Sequence, residues 1–284
     1  MKKAYLIILL ISSSFLYLSS CDKVEKTEQT PTESPTTEVK IRKTFLEIYV
    51  GHKCPNCPTG NYIIQNLKAL YGDSLVVLTI HAGFYATVDV FGDFTYDFNT
   101  SVGTELDNFF GVGMEGNPNC MVNRTGFNSN HIISPYSMGS IVITELHKAP
   151  NVNLKLTPTY NASTRNLQVE VDANFLTNLS DTYMLGVYIK EDSIVKPQKN
   201  SDPNLGAIPI IYDYVHHDVL RGSFNGSWGD TLVSGNSAPG HHLIKNYSLT
   251  LNTEWREKFC SVVAFIYRKS DYEIIQAEEI KVIP

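Results

Sequence analysis

Beyond residue 40, the order of apolar and polar positions divides the chain into two segments. Residues 44–50 are nearly all apolar with Glu47 as an interruption, and residues 75–81 form a second, mostly apolar run, so both predict buried β-strands. Residues 58–71 carry apolar side chains at helical spacing and begin with Pro58, which suits a first helical turn. The order of strand, helix and strand predicts a βαβ unit.

The rest of the first segment is predicted from weaker patterns. An aromatic insertion over 82–99 precedes a helix over 101–110, a strand over 120–123 and a helix over about 135–148. The insertion is interpreted as cover for the core, with a lid or a partner-binding patch as the alternative.

After Pro150 the pattern changes to short β-rich runs separated by turn residues. They cover residues 151–157, 167–175, 183–190, 243–251, 259–267 and 274–282. Short strands at such spacing predict a β-sandwich. The stretch 212–232, which holds Trp228 among several glycines, is interpreted as an irregular loop on that sandwich.

The N-terminal forty residues carry a targeting pattern. Two lysines, an apolar run over 4–18 and small residues before Cys21 predict a signal peptide over 1–20 and resemble a bacterial lipobox, with Cys21 lipidated. An ordinary signal peptide or an anchor helix is the alternative, but the run is shorter than the roughly 20 residues that span a bilayer. Residues 21–40 are polar and poor in large apolar side chains, which predicts a flexible tether.

Composition excludes several classes of function. The net charge is −6 and no stripe of lysine and arginine is present, so no nucleic-acid partner is expected. No Ser-His-Asp order, phosphate-binding loop or carboxylate pair indicates a hydrolase or a kinase. No cofactor is expected.

Four cysteines remain after Cys21 is assigned to lipid. An oxidising compartment permits disulfides, and a Cys120–Cys260 pair would staple the two segments together, although these thiols could equally be free. Cys54-Pro55-Asn56-Cys57 lies between a predicted strand and a predicted helix. Because a helix N-terminus stabilises a thiolate, Cys54 is the candidate nucleophile and Cys57 the candidate resolving thiol.

This arrangement resembles the thioredoxin superfamily over about residues 41–148. Residues 116–119, Gly-Asn-Pro-Asn, are similar to the segment that places a cis-proline opposite the cysteine pair, which implies a cis Pro118 shaping a substrate groove. Lys53 stands where the superfamily has an aromatic residue, and Cys120 where it has an aliphatic one. Glu47 is one residue further from Cys54 than the usual buried carboxylate, which puts it on the other face of the strand.

A closer resemblance is carried by several segments together. Residues 45–58, Val215-His-His-Asp-Val-Leu-Arg-Gly222 and Gly229-Asp230 are similar to the outer-membrane-protein-28-related lipoproteins of Bacteroidetes. This resemblance implies an outer membrane lipoprotein of the cell envelope with a thioredoxin-like part and a β-rich part. It assigns no biochemical activity, and it leaves periplasmic or surface exposure open.

The cysteine pair and the histidines leave alternatives open. The pair is either redox-active or a structural disulfide. A third hypothesis is a copper or zinc site formed by His52, His81, Cys54 and Cys57. Adjacent residues of a strand point to opposite faces, so the pairs at 216–217 and 241–242 are interpreted as turn or surface residues.

The predicted architecture is a signal peptide (1–20), a lipidated tether (21–40), an α/β thioredoxin-like domain (41–149) and an all-β immunoglobulin-like sandwich (150–284). The leading hypothesis is an outer-membrane or cell-surface lipoprotein that does binding or structural work on a thioredoxin-like scaffold. The alternative is an envelope thiol–disulfide oxidoreductase using Cys54, Cys57 and Pro118. The expected partners are the membrane, through the lipid, and proteins or peptides.

Overall fold

The first half of the folded chain alternates strands with helices. In a computed structural model, which describes residues 41–283, its elements are β1 (Thr44–Val50), α1 (Cys57–Tyr71), β2 (Leu75–His81), α2 (Ser101–Phe110), β3 (Asn119–Val122) and α3 (Met138–Leu146). These bounds confirm the predicted βαβ unit and the helix over 101–110. The predicted signal peptide, tether and lipidated Cys21 lie outside the described residues.

The second half is built from strands. The long ones are β4 (Val152–Asn161), β5 (Asn166–Phe175), β6 (Tyr183–Glu191), β13 (His242–Thr250), β14 (Cys260–Arg268) and β15 (Ile274–Lys281). The short ones are β7 (Ile194–Val195), β8 (Gln198–Lys199), β9 (Ile210–Ile211), β10 (Val215–His216), β11 (Val219–Ser223) and β12 (Asp230–Val233). All six predicted runs are strands. Residues 212–232 contain β10, β11 and most of β12, so their interpretation as an irregular loop was wrong.

One large sheet joins strands from both halves. Its order is β15-β14-β6-β11-β2-β1-β3, with β12 beside β6. β1 and β2 are parallel over their full length, β3 is antiparallel to β1, and β11 joins β2 at Val219 and Thr79. The predicted boundary between residues 149 and 150 falls between α3 and β4, but this sheet crosses it.

Different layers cover the two faces of the large sheet. α1 and α3 cover one face of β1, β2 and β3, where Leu46 and Ile48 belong to the core cluster that holds Cys54 and Cys57. A three-stranded sheet, β13-β5-β4, packs on β6, β14 and β15 through alternate side chains such as Val171. α2 covers the opposite face. The structure is therefore mostly β, with several sheets and three α-helices in its described residues.

Candidate functional site

The cysteine motif forms the turn between β1 and α1. β1 ends at Val50 and α1 begins at Cys57, so the motif occupies the loop and the first residue of the helix. The Cys54 amide donates to the Gly51 carbonyl at 2.9 Å, and the Cys57 amide donates to the Cys54 carbonyl at 3.3 Å. The two thiols are free and buried, with exposures of 1% for Cys54 and 0% for Cys57.

The two thiols have unequal acidity. A hydrogen bond from the Cys57 thiol lowers the pKa of Cys54, and backbone amides at the start of α1 act in the same direction against burial. Burial, followed by the hydrogen bond to Cys54, raises the pKa of Cys57 well above its ordinary value. An attacking thiol needs the lower pKa of such a pair, and in this pair the lower pKa belongs to Cys54.

Pro118 lies beside this pair. The Asn117–Pro118 peptide bond is cis, as predicted. The Cys54 thiol donates to the Asn117 carbonyl with a distance of 3.3 Å between Sγ and O. A Cβ on Gly60 would come within 2.7 Å of the Pro118 Cγ, so the first turn of α1 packs directly on the proline ring. The structure thus brings the three predicted site residues together.

A segment of the strand-rich half covers the cysteine loop. Residues 196–201, called the strap below, run along it, with the Lys199 amide donating to the His52 carbonyl at 2.8 Å and the Ser201 amide donating to the Pro55 carbonyl at 3.0 Å. The buried Gln198 amide donates to the Cys54 carbonyl at 2.8 Å and to the Gly51 carbonyl at 3.3 Å. Gln198 was missed at the sequence level, because nothing in its local pattern indicates a contact with a motif 144 residues away.

The aromatic insertion holds the other side of the loop. The Lys53 amide donates to the Tyr85 carbonyl at 3.1 Å, and the Lys53 ammonium forms an ion pair with Asp89. Nε2 of His52 lies 3.0 Å from the Thr87 carbonyl oxygen. Lys53, which stands where the thioredoxin pattern has an aromatic residue, therefore holds the insertion against the cysteine loop.

The insertion is only in part core cover. Phe94 and Phe98 are buried, whereas Phe84 and Phe91 are 79% and 87% exposed. The insertion therefore covers the core through its second half, which holds Phe94 and Phe98, while Phe84 and Phe91 before them face solvent.

Three buried histidines surround Phe98. The ring centroid of Phe98 lies 4.2 Å from that of His81, 4.5 Å from that of His216 and 5.7 Å from that of His52. Burial lowers the pKa of all three histidines, to about 3 for His216. The interpretation of His216 as a turn or surface residue was wrong, since its side chain packs into this aromatic cluster.

The metal hypothesis finds no support in this geometry. Across residues 41–283, no group of three or more histidine, cysteine or acidic side chains is arranged to hold a metal ion. The rings of His52 and His81 both pack against that of Phe98.

Glu47 lies on the opposite face of β1 from the cysteines. Its two carboxylate oxygens each accept a hydrogen bond from Arg124 at 2.7 Å, and both side chains are almost fully buried. The spacing argument is confirmed, because Leu46 and Ile48 contact the cysteine cluster and Glu47 points away from it. Glu47 therefore cannot relay protons to Cys54.

Of the two states left open for Cys120 and Cys260, the structure shows free thiols. Both are free and buried, and they belong to different core clusters on different strands. Burial raises the pKa of both thiols, to about 12 for Cys260. They are inert core residues in this fold.

A sequence model of the family described as outer membrane protein Omp28 matches residues 105–283. The chain belongs to the Omp28 family. No curated protein matches the chain. Membership of the family confirms the predicted localisation in the outer membrane of the cell envelope. Within residues 41–283, no helix has the length and apolar character needed to cross a membrane.

Solved structures extend the comparison to the whole fold. HBP35 of Porphyromonas gingivalis is similar with a TM-score of 0.60 and 19% identity, over 86% of this chain and 76% of its own. Protein AGR_C_4864 of Agrobacterium tumefaciens is similar with a TM-score of 0.51 and 13% identity, over 86% of this chain and 96% of its own. A domain of the outer membrane lipoprotein Omp28 from P. gingivalis matches with a TM-score of 0.32 and 22% identity, over 47% of this chain and 88% of its own. At these identities the first two show a shared fold.

Proposed function

We propose that this Omp28 family member is a cell-surface binding or structural protein, tethered by lipid on Cys21, whose thioredoxin-like scaffold keeps its cysteine pair shielded. The observation that carries the proposal is the burial of Cys54 beneath the strap. A thiol that exchanges disulfides with other proteins must be accessible to the attacking or attacked sulfur. The strap is hydrogen-bonded to the loop that carries this thiol, so we expect access to increase when the strap is released.

The thioredoxin-like part of the proposal rests on topology. The order β2-β1-β3, with β1 and β2 parallel and β3 antiparallel, is extended by a bridge between Cys120 and Ile133. α1 follows the cysteine motif, and the cis Pro118 precedes β3. These features support a thioredoxin-like unit over 41–149.

The sandwich part rests on packing. The sheet β13-β5-β4 stacks on β6, β14 and β15 through a shared apolar core. This arrangement supports an immunoglobulin-like sandwich over 150–284. One of its two sheets, formed by β6, β14 and β15, is part of the large sheet that also holds β1, β2 and β3.

In the native, reduced protein, Cys54 is expected to react slowly with a maleimide, and Gln198→Ala should accelerate the reaction. Gln198 donates hydrogen bonds to the carbonyls of Cys54 and Gly51, which hold the strap on the loop. Losing about 1.4 kcal/mol of such bonding should raise the population of the open state about tenfold. The rate of Cys54 labelling, measured by peptide mass spectrometry, reports that population.

Gln168→Ala is the matched control, because Gln168 is exposed on β5. It should leave the labelling rate at the wild-type value. Rapid labelling of Cys54 in the wild-type protein would contradict the shielded-thiol proposal.

The second candidate function is thiol–disulfide exchange, favoured by the lowered pKa of Cys54. In it, the Cys54 thiolate attacks a partner disulfide, the partner's leaving thiolate takes up a proton, and Cys57 then releases the partner as a Cys54–Cys57 disulfide forms. The reduction potential of the pair discriminates the two functions. A value of roughly −120 to −270 mV is typical of exchange catalysts, whereas a value below about −300 mV indicates a structural pair.

A further inference from the structure

An aromatic cavity lies away from the cysteine pair, at the edge where α2 meets β6 and the β14–β15 turn. Its volume is about 620 Å³, and its walls include Phe109, Met184, Trp228, Tyr272 and Lys269. This volume lies within the range of small-molecule sites. None of these residues takes part in the site described above.

Three rings form one continuous wall of this cavity. The ring centroids of Phe109 and Trp228 are 4.7 Å apart, those of Phe109 and Tyr272 are 4.9 Å apart, and those of Trp228 and Tyr272 are 5.9 Å apart. Phe109 is 42% exposed although it lies in this cluster. An exposed aromatic wall offers ring faces and edges on which a flat ring can stack.

Trp228 is held in place by four hydrogen bonds around it. Its indole N–H donates to one oxygen of Glu105, and the Ser227 hydroxyl donates to the other, both at 2.6 Å. The Trp228 carbonyl accepts from the Tyr267 hydroxyl at 2.7 Å, and the Ser227 carbonyl accepts from the Tyr188 hydroxyl at 2.5 Å. The wall is therefore preorganised, which reduces the entropy lost on binding.

The rim carries one carboxylate, Glu105, and one ammonium, Lys269, and only the ammonium is left without a partner for a ligand group. Both oxygens of Glu105 are already engaged by Ser227 and Trp228. Lys269 is exposed, and the nearby carboxylates of Asp271 and Glu273 pair with Arg268 instead. Lys269 is the one cation in the lining, and among the described residues its ammonium has no carboxylate partner, so it is available to pair with an acid.

We propose that this cavity binds a small, flat ring compound that carries an acidic group, with the ring against Phe109 and Trp228 and the acid at Lys269. The inference supplies a ligand class for the proposed binding function and rests on that function. The cavity does not involve Cys54, so an experiment that rejects the ring-binding site does not reject the shielded thiol, and the reverse also holds.

Anilinonaphthalene sulfonate, an aromatic anion, is the probe, and its fluorescence enhancement gives the dissociation constant. Phe109→Ala and Lys269→Glu should each weaken binding at least about tenfold, since each removes one of the two recognition elements. Phe84→Ala and Lys258→Glu are matched controls at exposed positions outside the cavity and should bind as the wild type does. Unfolding midpoints of all variants verify that they are folded.

The two tryptophans allow a second readout. With Trp255→Phe as the background, Trp228 remains the sole tryptophan, and its fluorescence should be quenched with the same dissociation constant. Equal binding of the sulfonate by wild type, Phe109→Ala and Lys269→Glu would overturn the site. Binding of neutral N-phenylnaphthylamine as tight as that of the sulfonate would overturn the acidic ligand class. Slow labelling of Cys54 alongside either result would leave the shielded-thiol proposal standing.

Discussion

Replacing Arg124 with methionine is expected to reduce the free energy of unfolding by about 3–5 kcal/mol. The Arg124 guanidinium is completely buried and donates to both oxygens of Glu47 at 2.7 Å. It also lies over the ring of Phe110 at 4.8 Å and that of Phe265 at 5.1 Å. Methionine keeps much of the volume but leaves the Glu47 carboxylate without a partner in an apolar core, where an unpaired charge is strongly destabilising.

Urea denaturation followed by circular dichroism measures this loss. The double variant Glu47→Leu with Arg124→Met should recover most of the stability, because it removes both charges together. Arg268→Met is the control, since the Arg268 side chain is 32% exposed and its ion pairs should contribute at most about 1 kcal/mol. A loss below about 1 kcal/mol for Arg124→Met would show that the buried pair does not carry the stability assigned to it.

The apolar periodicity predicted most of the elements because these strands and helices bury one face or both. β1 and β2 are buried on both faces and appear in the sequence as nearly continuous apolar runs. β5 is buried mainly on one face and appears as an alternation of apolar and polar residues, so the pattern follows directly from the burial. The position of Glu47 followed from the same periodicity, since one residue of offset turns a side chain to the other face.

The cover over the cysteine pair could not be predicted in this way. β7, β8, β9 and β10 are two residues long, too short to show a period, and Gln198 is a polar residue in a polar stretch. Gln198 is buried because it packs on the cysteine loop, which lies far from it in the sequence and meets it only in the folded protein. The joining of both halves through β11 was missed for the same reason, because only Val219 pairs with β2.

The segment 215–222 carried the family resemblance without a physical role at the sequence level. The structure gives Asp218 that role. One Asp218 oxygen accepts from the Lys190 ammonium at 2.8 Å and also from Lys68, and the other accepts from Gln65 at 3.3 Å. Lys190 in turn donates to Glu279 at 2.7 Å. Asp218 therefore ties α1 to β6 and β15, the two halves of the protein.

Asp218→Asn is expected to reduce the free energy of unfolding by about 3 kcal/mol at neutral pH, because it leaves the buried Lys190 with less than its full countercharge. Burial alone would raise the pKa of Asp218, but the ammonium groups of Lys190 and Lys68 outweigh it and hold that pKa well below its ordinary value. Asp172→Asn, at a partly exposed contact with His242, is the matched control and should change stability by less than about 1 kcal/mol.

The same change should flatten the acid limb of the stability curve. In the unfolded chain an aspartate takes up its proton near pH 4. Because Asp218 holds its pKa lower than that in the folded state, the unfolded chain binds the proton first as the pH falls. The contribution of Asp218 is thus fully present above about pH 4 and decreases below it. Urea midpoints measured between neutrality and acid should converge for wild type and Asp218→Asn as the pH drops, whereas a gap that stays constant would contradict the ionised, paired state of this carboxylate.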